Sequence, residues 1–555
     1  MLSEHNIAHH LTRMATRQPW QPAVFCPAGR RRSGKDAWVH YSYQQLDEES
    51  DLLARGLLSS GILKGKHVAL MVRPSLEFFA LTFALFKAGT IPVMIDPGIG
   101  IRNLKKCLTE ARPTTFIGIP RAQIARLLFG WRRGQLEHVI TVGGQGFPGS
   151  GTLLRDIRRR GEENRTIALP PTKPGDTAAI LFTSGSTGVP KGAVYTQENF
   201  ADQVNALRDT YRIAPGEVDL CTFPLFALFA PALGMTAVVP DMDFTRPARV
   251  MPDRIFSAIR DFGVTNMFGS PALLRRVARK GVEDGVQLPS LRRVISAGAP
   301  VPPETLEEMS RLLPNDTLIH TPYGATEALP VCTIDSREIL TETAESTRQG
   351  QGICVGRPVP GVDIHVIRIT DDPITTWSRA LQLPRGQIGE LVVTGPRVTA
   401  SYFNRPISNK MAKIHNPITG AIMHRMGDLG YQDDKGRFWF CGRKTHRVRR
   451  KQQDLYTIPV EAIFNNHQAV YRSALVGVPL PSGTEPVLCV ETEEKTDNTT
   501  REKIRRELLA AGAATEFTRP VQTILFRKSL PVDIRHNSKI FREKLIPWAA
   551  REMNQ

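Results

Sequence analysis

Cysteine is scarce and scattered in this chain of 555 residues: Cys26, Cys107, Cys221, Cys332, Cys354, Cys441 and Cys489 are its only members. No C-x-x-C pair occurs, so neither a zinc site nor a disulfide framework is expected, and the usage fits a cytoplasmic, reducing setting. The opening stretch MLSEHNIAHHLTRMATRQPW has no apolar core, so no export signal is expected. Long uninterrupted hydrophobic runs are missing too. FFALTFALF (78–86) is too short to span a bilayer and is closed by Lys87 and Gly89. FPLFALFAPALGMTAVVP (223–240) is long enough and uncharged, but Pro224, Pro231, Gly234 and Pro240 interrupt it. It reads as a buried core segment or the wall of an apolar pocket, not a transmembrane segment. No helix-turn-helix, zinc-finger or RNA-binding signature is found, so no nucleic acid partner is expected. There is no internal repeat and no low-complexity tract.

What is present is an ordinary globular composition, 41% hydrophobic and 23% charged. At about 150 residues per domain the length predicts roughly three to four units, fewer if one is a large α/β domain. Lysine and arginine total 72 against 54 acidic residues, a formal charge of +18, with clusters at Arg30–Arg32, Arg158–Arg160 and Arg447–Lys451. Such an excess attracts anions, whether nucleotide, acidic partner or, by peripheral contact, acidic lipid; a basic soluble surface accounts for most of it.

Strand-like and helix-like patterns alternate. TAAILFT (177–183), VTNMFGS (264–270) and RRVISAG (292–298) read as strands, the latter two followed by prolines at helix starts. The repetition predicts an α/β fold with largely parallel sheets, whose ligands gather beyond the strands' carboxyl ends. VDIHVI (362–367) and GELVVTG (389–395) predict a β-rich subdomain. From residue 443 the texture turns polar and basic, and a small α+β pattern follows. The expected organisation is a large N-terminal domain over 1–441, a hinge at 442–447 and a C-terminal domain over 448–555.

Three loops carry candidate chemistry. TSGSTGVPKG (183–192) has almost the spacing of a Walker phosphate loop, but Pro190 stands in place of the second glycine and Gly192 in place of the metal-binding hydroxyl. Its backbone amides, with Ser184, Ser186 and Thr187, can still wrap an oligophosphate, and Lys191 adds a positive charge. In YGATEA (323–328), Tyr323 can stack on a base, Thr326 can bond a phosphate oxygen and Glu327 can ligate Mg²⁺. In HRMGDLG (424–430), Asp428 can bind ribose hydroxyls, as can Arg443 downstream; taken singly, a turn aspartate and a solvated arginine are equally good readings. Lys539 in HNSKIFREKL precedes a predicted helix and, in isolation, reads as a surface lysine.

Together TSGSTGVPKG, YGATEA, GELVVTG, GDLG, the GR at 442–443 and SKIFREKL resemble, in order, the motifs of the adenylate-forming superfamily of acyl-CoA synthetases, adenylation domains and luciferases. The resemblance covers about residues 40 to 545. It implies a large N-terminal domain of two α/β subdomains and a β-rich subdomain, with a small mobile C-terminal domain. It implies carboxylate attack on the α-phosphorus of ATP, giving acyl-AMP and pyrophosphate. By the same resemblance Thr183, Ser184, Gly185, Ser186, Thr187, Gly188 and Lys191 cradle the β and γ phosphates. Gly298, Ala299 and Pro300 of SAGAP, with Tyr323, Gly324 and Ala325, hold adenine. Thr326 touches the α-phosphate, Glu327 binds Mg²⁺, Asp428 holds ribose with Arg443, and Lys539 is the catalytic lysine that bridges carboxylate and α-phosphate. Two anions must meet, so cations and amides offset their repulsion as charge builds.

The chain departs from the CoA-ligase pattern after the hinge. Aligned on TIPVE, Asp454 stands where CoA ligases carry a glycine beside the pantetheine tunnel. Thr445 occupies the hinge position, Ala227 replaces the histidine of PLFH, and Ser538 replaces the glycine before the catalytic lysine. TFPLFALFAPALG holds no aspartate to pair an amino-acid substrate. An intramolecular β-hydroxyl would need no thiol tunnel, and closing a four-membered lactone in one pocket draws on proximity. Residues 74–100 and 222–235 especially resemble the β-lactone synthetases of bacterial long-chain olefin biosynthesis. That resemblance implies a long-chain 2-alkyl-3-hydroxyalkanoic acid substrate, a cis-3,4-dialkyl-oxetan-2-one product, and assembly with a β-lactone decarboxylase and a ketone reductase. The alternative is a long-chain fatty acyl-CoA or acyl-carrier ligase. His320 and His424 lie near the motifs, with no role assigned to either.

Overall fold

Short apolar runs such as TAAILF and NMF become inner strands, as expected of segments buried on both faces of a parallel sheet. The structure, a computed structural model, describes residues 3–30, 36–131, 134–182, 190–451, 453–481, 483–533 and 539–554. Among the described residues four sheets form, of seven, seven, eight and three strands. The first runs in the order Thr152–Leu153, His138–Thr141, Thr115–Gly118, His67–Met71, Ile91–Ile95, Thr177–Phe182, Gly192–Thr196. It is parallel except for the last pair. The second orders Leu318–His320, Arg293–Ile295, Asn266–Phe268, Val218–Cys221, Thr236–Val238, Pro22–Arg30 and Asp36–Ser42, again with one antiparallel edge. This is the predicted α/β class, with the β-rich unit as the antiparallel third sheet.

Local chemistry sets the helix starts. Ser270 accepts a hydrogen bond from the Leu273 amide and Pro271 opens the helix Pro271–Glu283. Thr196 and Asn199 form a reciprocal cap at the start of Gln197–Tyr211. The apolar stretch 223–240 folds as two short helices, Pro224–Ala227 and Phe229–Leu233, and the strand Thr236–Val238. Among the described residues no helix is long and apolar enough to cross a membrane.

The three-stranded sheet Val470–Leu480, Gly483–Thr492, Thr523–Phe526 lies C-terminal to the other three and packs with helices Thr457–Asn465 and Arg542–Met553. Its hydrophobic clusters draw only on residues from Val448 onward, and every other cluster only on residues up to Phe440. Between them Gly442 and Arg443 finish the strand Phe438–Arg443, and Lys444–His446 form one 3-10 turn.

Candidate active site

The carboxyl ends of the strands and the C-terminal unit enclose one cleft of about 2480 Å³. Thr183, Ser184, Gly185, Ser186, Thr187 and Gly188 lie outside the described residues, as does Ser538. On either side of the loop, Phe182 and Gly192 are paired in antiparallel register. Lys191 follows with its ammonium 5.1 Å from the centre of the Tyr402 ring.

YGATEA forms a tight hairpin between the strands Tyr323–Ala325 and Ala328–Thr333. Its turn is held from outside. The buried Tyr195 hydroxyl donates to the Thr326 carbonyl. The Thr399 amide donates to the Glu327 carbonyl at 2.9 Å. Tyr402 donates its hydroxyl to Glu327 Oε1 at 2.6 Å. Glu327 is thereby fixed by backbone and by one carboxylate oxygen, and the residue lines the cleft.

Asp428 sits in the long strand Ile422–Gln432, opposite Arg443 on the next strand. Its Oδ2 accepts from the Tyr323 hydroxyl at 2.6 Å. Its Oδ1 lies 2.9 Å from Arg443 Nη1, yet the angle misses a hydrogen bond and the oxygen is left without a donor. A buried carboxylate oxygen without a donor is a ready acceptor for a ligand hydroxyl. Burial raises the Asp428 carboxyl, and Arg443, the Tyr323 hydroxyl and Lys539 pull it back down. The Asp428 charge in turn raises Arg443. Tyr323 is thus tied to Asp428, its ring beside Phe440 at 6.3 Å. Gly298 turns with φ +96, a conformation that L side chains avoid, and Gly298, Ala299 and Pro300 line the cleft beside Tyr323 to Thr326.

Lys539 enters the cleft from the C-terminal unit. Its amide donates to Asp533 Oδ1 at 2.8 Å, and its carbonyl accepts from the Asp533 amide at 3.0 Å. Just beyond, Arg542 donates to both oxygens of the buried Glu461, at 2.6 and 2.8 Å. The structure therefore brings Lys191, Glu327, Asp428, Arg443 and Lys539 to one cleft.

Away from Asp428 and Lys539 the cleft is aromatic. Phe226 stands 4.6 Å from Phe268 and 5.2 Å from Phe223. Ala227 is buried and is not part of the lining, whereas its neighbours Phe226 and Leu228 are. After the 3-10 turn Lys444–His446, Arg447 Nε donates to Asp454 Oδ2 at 3.0 Å, Nη2 donates to Asp371 Oδ2 at 2.8 Å, and Nη1 donates to the Lys444 carbonyl at 2.7 Å. One guanidinium ties Asp454 to this turn and to the β-rich unit.

Residues 11–403 match the family of AMP-binding enzymes. The olefin beta-lactone synthetase of Xanthomonas campestris pv. campestris is 48% identical over 99% of this chain and 98% of its own. That of Stenotrophomonas maltophilia is 47% identical over 99% of each. Among solved structures, the amide bond synthetase McbA from Marinactinospora thermotolerans superposes with a TM-score of 0.76 over 98% of this chain and 99% of its own, at 22% identity.

The chain belongs to the AMP-binding enzyme family.

In this AMP-binding enzyme several site residues had no signal in the sequence. Tyr402 touches Glu327 and Lys191. Lys413 lies beneath it, 5.5 Å from the ring centre, and donates to the Thr399 carbonyl. Burial pushes the Lys413 ammonium down to about 7, against the pull of the Glu327 carboxylate. The two histidines also separate. His320 packs on Tyr211 with ring centres 5.1 Å apart and is not part of the cleft lining. His424 is buried and lines the cleft. Its Nδ1 faces the Ala412 carbonyl at 3.2 Å. A carbonyl only accepts, so Nδ1 carries the proton and Nε2 is left as an acceptor. Burial, with Lys413, Lys191 and Arg443 around it, drives the imidazole well below its usual range, so it is neutral near pH 7.

Proposed function

We propose that this AMP-forming ligase converts a long-chain 2-alkyl-3-hydroxyalkanoic acid, through its acyl-AMP, to a cis-3,4-dialkyl-oxetan-2-one. End-to-end similarity to two olefin beta-lactone synthetases carries the reading. In the first step a carboxylate oxygen bonds to the α-phosphorus of ATP and pyrophosphate leaves. In the second the β-oxygen bonds to the acyl carbon, the bond to AMP breaks, and the hydroxyl proton is taken up by a base. Lys539 would bridge carboxylate and α-phosphate. Lys191 would meet the outer phosphates, together with Thr183 to Gly188. Asp428 Oδ1 would take a ribose hydroxyl. Tyr323 and the turn at Gly298 would flank adenine.

Mg²⁺ fits the Glu327 carboxylate together with phosphate oxygens, because this ion is commonly held by one or two carboxylates plus phosphates. When bound it would offset phosphate charge. The phosphate of the leaving AMP suits the β-hydroxyl proton, because burial and the cations Lys413, Lys191 and Arg443 oppose a proton on His424. The Phe223, Phe226 and Phe268 wall suits alkyl chains. Asp454, drawn to Arg447, puts a charged pair where a CoA ligase carries glycine, which supports an intramolecular nucleophile over a thiol. In this reading the enzyme works in the cytoplasm, upstream of a β-lactone decarboxylase and beside a ketone reductase with which it would assemble.

The test is incubation with ATP, Mg²⁺ and a long-chain 2-alkyl-3-hydroxy acid in the absence of CoA, with product identification by mass spectrometry. Lactone and AMP are expected. Absence of lactone, with a thioester appearing once CoA is added, would leave the acyl-CoA ligase reading standing instead.

A further inference from the structure

The helix Pro120–Leu128 is amphipathic with its faces reversed. Two of its three polar residues, Gln123 and Arg126, point inward. Gln123 is fully buried and donates to the Ile140 carbonyl at 2.9 Å. Arg126 is buried beside it, donating to Gln123 Oε1 at 2.9 Å and to the Gly149 carbonyl. Its apolar residues point outward. Ile124, Leu127, Leu128 and the following Phe129 are between 42% and 76% exposed. A helix on a soluble surface ordinarily places these residue types the other way round. Contiguous exposed apolar side chains of this kind mark an interaction surface.

Two further observations say what covers it. Exposed cations accompany it: Arg121 on this helix, and Arg102, Lys105 and Lys106 on the helix Ile101–Ala111, which packs on the same hydrophobic cluster. The single carboxylate on these two helices, Glu110, is already taken by Arg405 at 2.6 and 2.9 Å. The patch is also continuous with the cleft, since Ile101, Arg121, Ala122 and Trp131 line it. Ile101 is itself half exposed.

We infer that this face docks on an anionic phospholipid surface, with Ile124, Leu127, Leu128 and Phe129 seated among the acyl chains and the exposed cations on the headgroups. Apolar side chains beside lysines and arginines are the chemistry of an in-plane interfacial anchor. The docked pose sets the cleft mouth against the bilayer, so an amphiphilic acid can pass between them without crossing water. That last consequence rests on the long-chain reading above; the docking itself does not.

The test is sedimentation of the full chain, without substrate, with phosphatidylethanolamine vesicles containing phosphatidylglycerol and with pure phosphatidylcholine vesicles. Binding is expected to the anionic vesicles, weakened by salt, and much less to phosphatidylcholine. The double variant Ile124→Glu and Leu128→Glu is expected to lose about tenfold or more in vesicle partition. Lys105→Glu with Lys106→Glu is expected to lose only the preference for phosphatidylglycerol. AMP formation from a water-soluble short-chain hydroxy acid is expected to stay at the wild-type rate in both. Wild-type protein that remains in the supernatant, or a double variant that sediments equally, overturns the inference. So does a wild-type dimer that the double variant converts to monomer without any vesicle binding, which would assign the face to a second copy. Because vesicle binding is read without substrate and lactone formation without vesicles, failure of either leaves the other legible.

Discussion

Single side chains at the cleft carry distinct demands. Lys539 is exposed and is held by its backbone to Asp533, so its ammonium can be removed without disturbing a core. Lys539→Ala is expected to slow AMP formation by about two to three orders of magnitude, the range for losing a group aimed at developing charge. Its melting temperature should stay at the wild-type value. A pyrophosphate-release assay and a thermal scan check both, and normal AMP formation would remove Lys539 from the mechanism. Tyr402 acts one step back, by orienting Glu327. Tyr402→Phe keeps the ring against Lys191 and loses only the hydrogen bond. The Mg²⁺ concentration for half-maximal activity is expected to rise by about tenfold, the lower end for partners of metal ligands. An unchanged Mg²⁺ titration would confine Tyr402 to packing.

At the scale of elements, the strand Lys413–His415 places an ammonium inside the protein, beneath the turn that holds Glu327. Its folded-state pKa of about 7 lies below the roughly 10.4 of an unfolded lysine. Between those values the unfolded chain binds more protons, so this group's contribution to stability rises with pH. Below about 7 the full cost of burying the charge is present. Lys413→Met is expected to gain on the wild type near pH 6, by on the order of a few kcal/mol, and to lose that advantage toward about pH 10. Urea titrations at several pH values read the difference, and a constant offset would contradict the assignment.

The same scale explains what the sequence could disclose. TAAILF and NMF were legible because strands buried on both faces are apolar throughout. Glu327, Asp428, Arg443 and Lys539 were legible because each sits in a short motif with company in a known order. Tyr402 and Lys413 were not. Tyr402 meets Glu327 across 75 residues, brought there by its bridge to Ala193 on the edge of the first sheet and by no local pattern. Helix Pro120–Leu128 shows its stripe in sequence, but periodicity alone cannot tell which face lies inside. Here the polar face does.

For the whole molecule, the separation of hydrophobic clusters on either side of the turn Lys444–His446 predicts two cooperative units. Leu508 is fully buried in the C-terminal cluster. Leu508→Ala is expected to cost about 2–5 kcal/mol. In calorimetry that loss should shift the C-terminal transition and leave the N-terminal one in place. A single transition shifted as a whole would mean that the units unfold together. Joining them, Arg447 reaches both Asp454 and Asp371, so one guanidinium fastens the C-terminal unit to the β-rich one.

All seven cysteine thiols are buried, with burial raising those of Cys26, Cys107, Cys441 and Cys489 to about 12. Thiolate, not thiol, is the reactive form. The native chain is therefore a blank background for maleimide dyes. One cysteine introduced on each side of the turn Lys444–His446 can carry a donor and an acceptor fluorophore without first stripping out the natural ones, and any slow labelling of the parent chain becomes a clock for its unfolding.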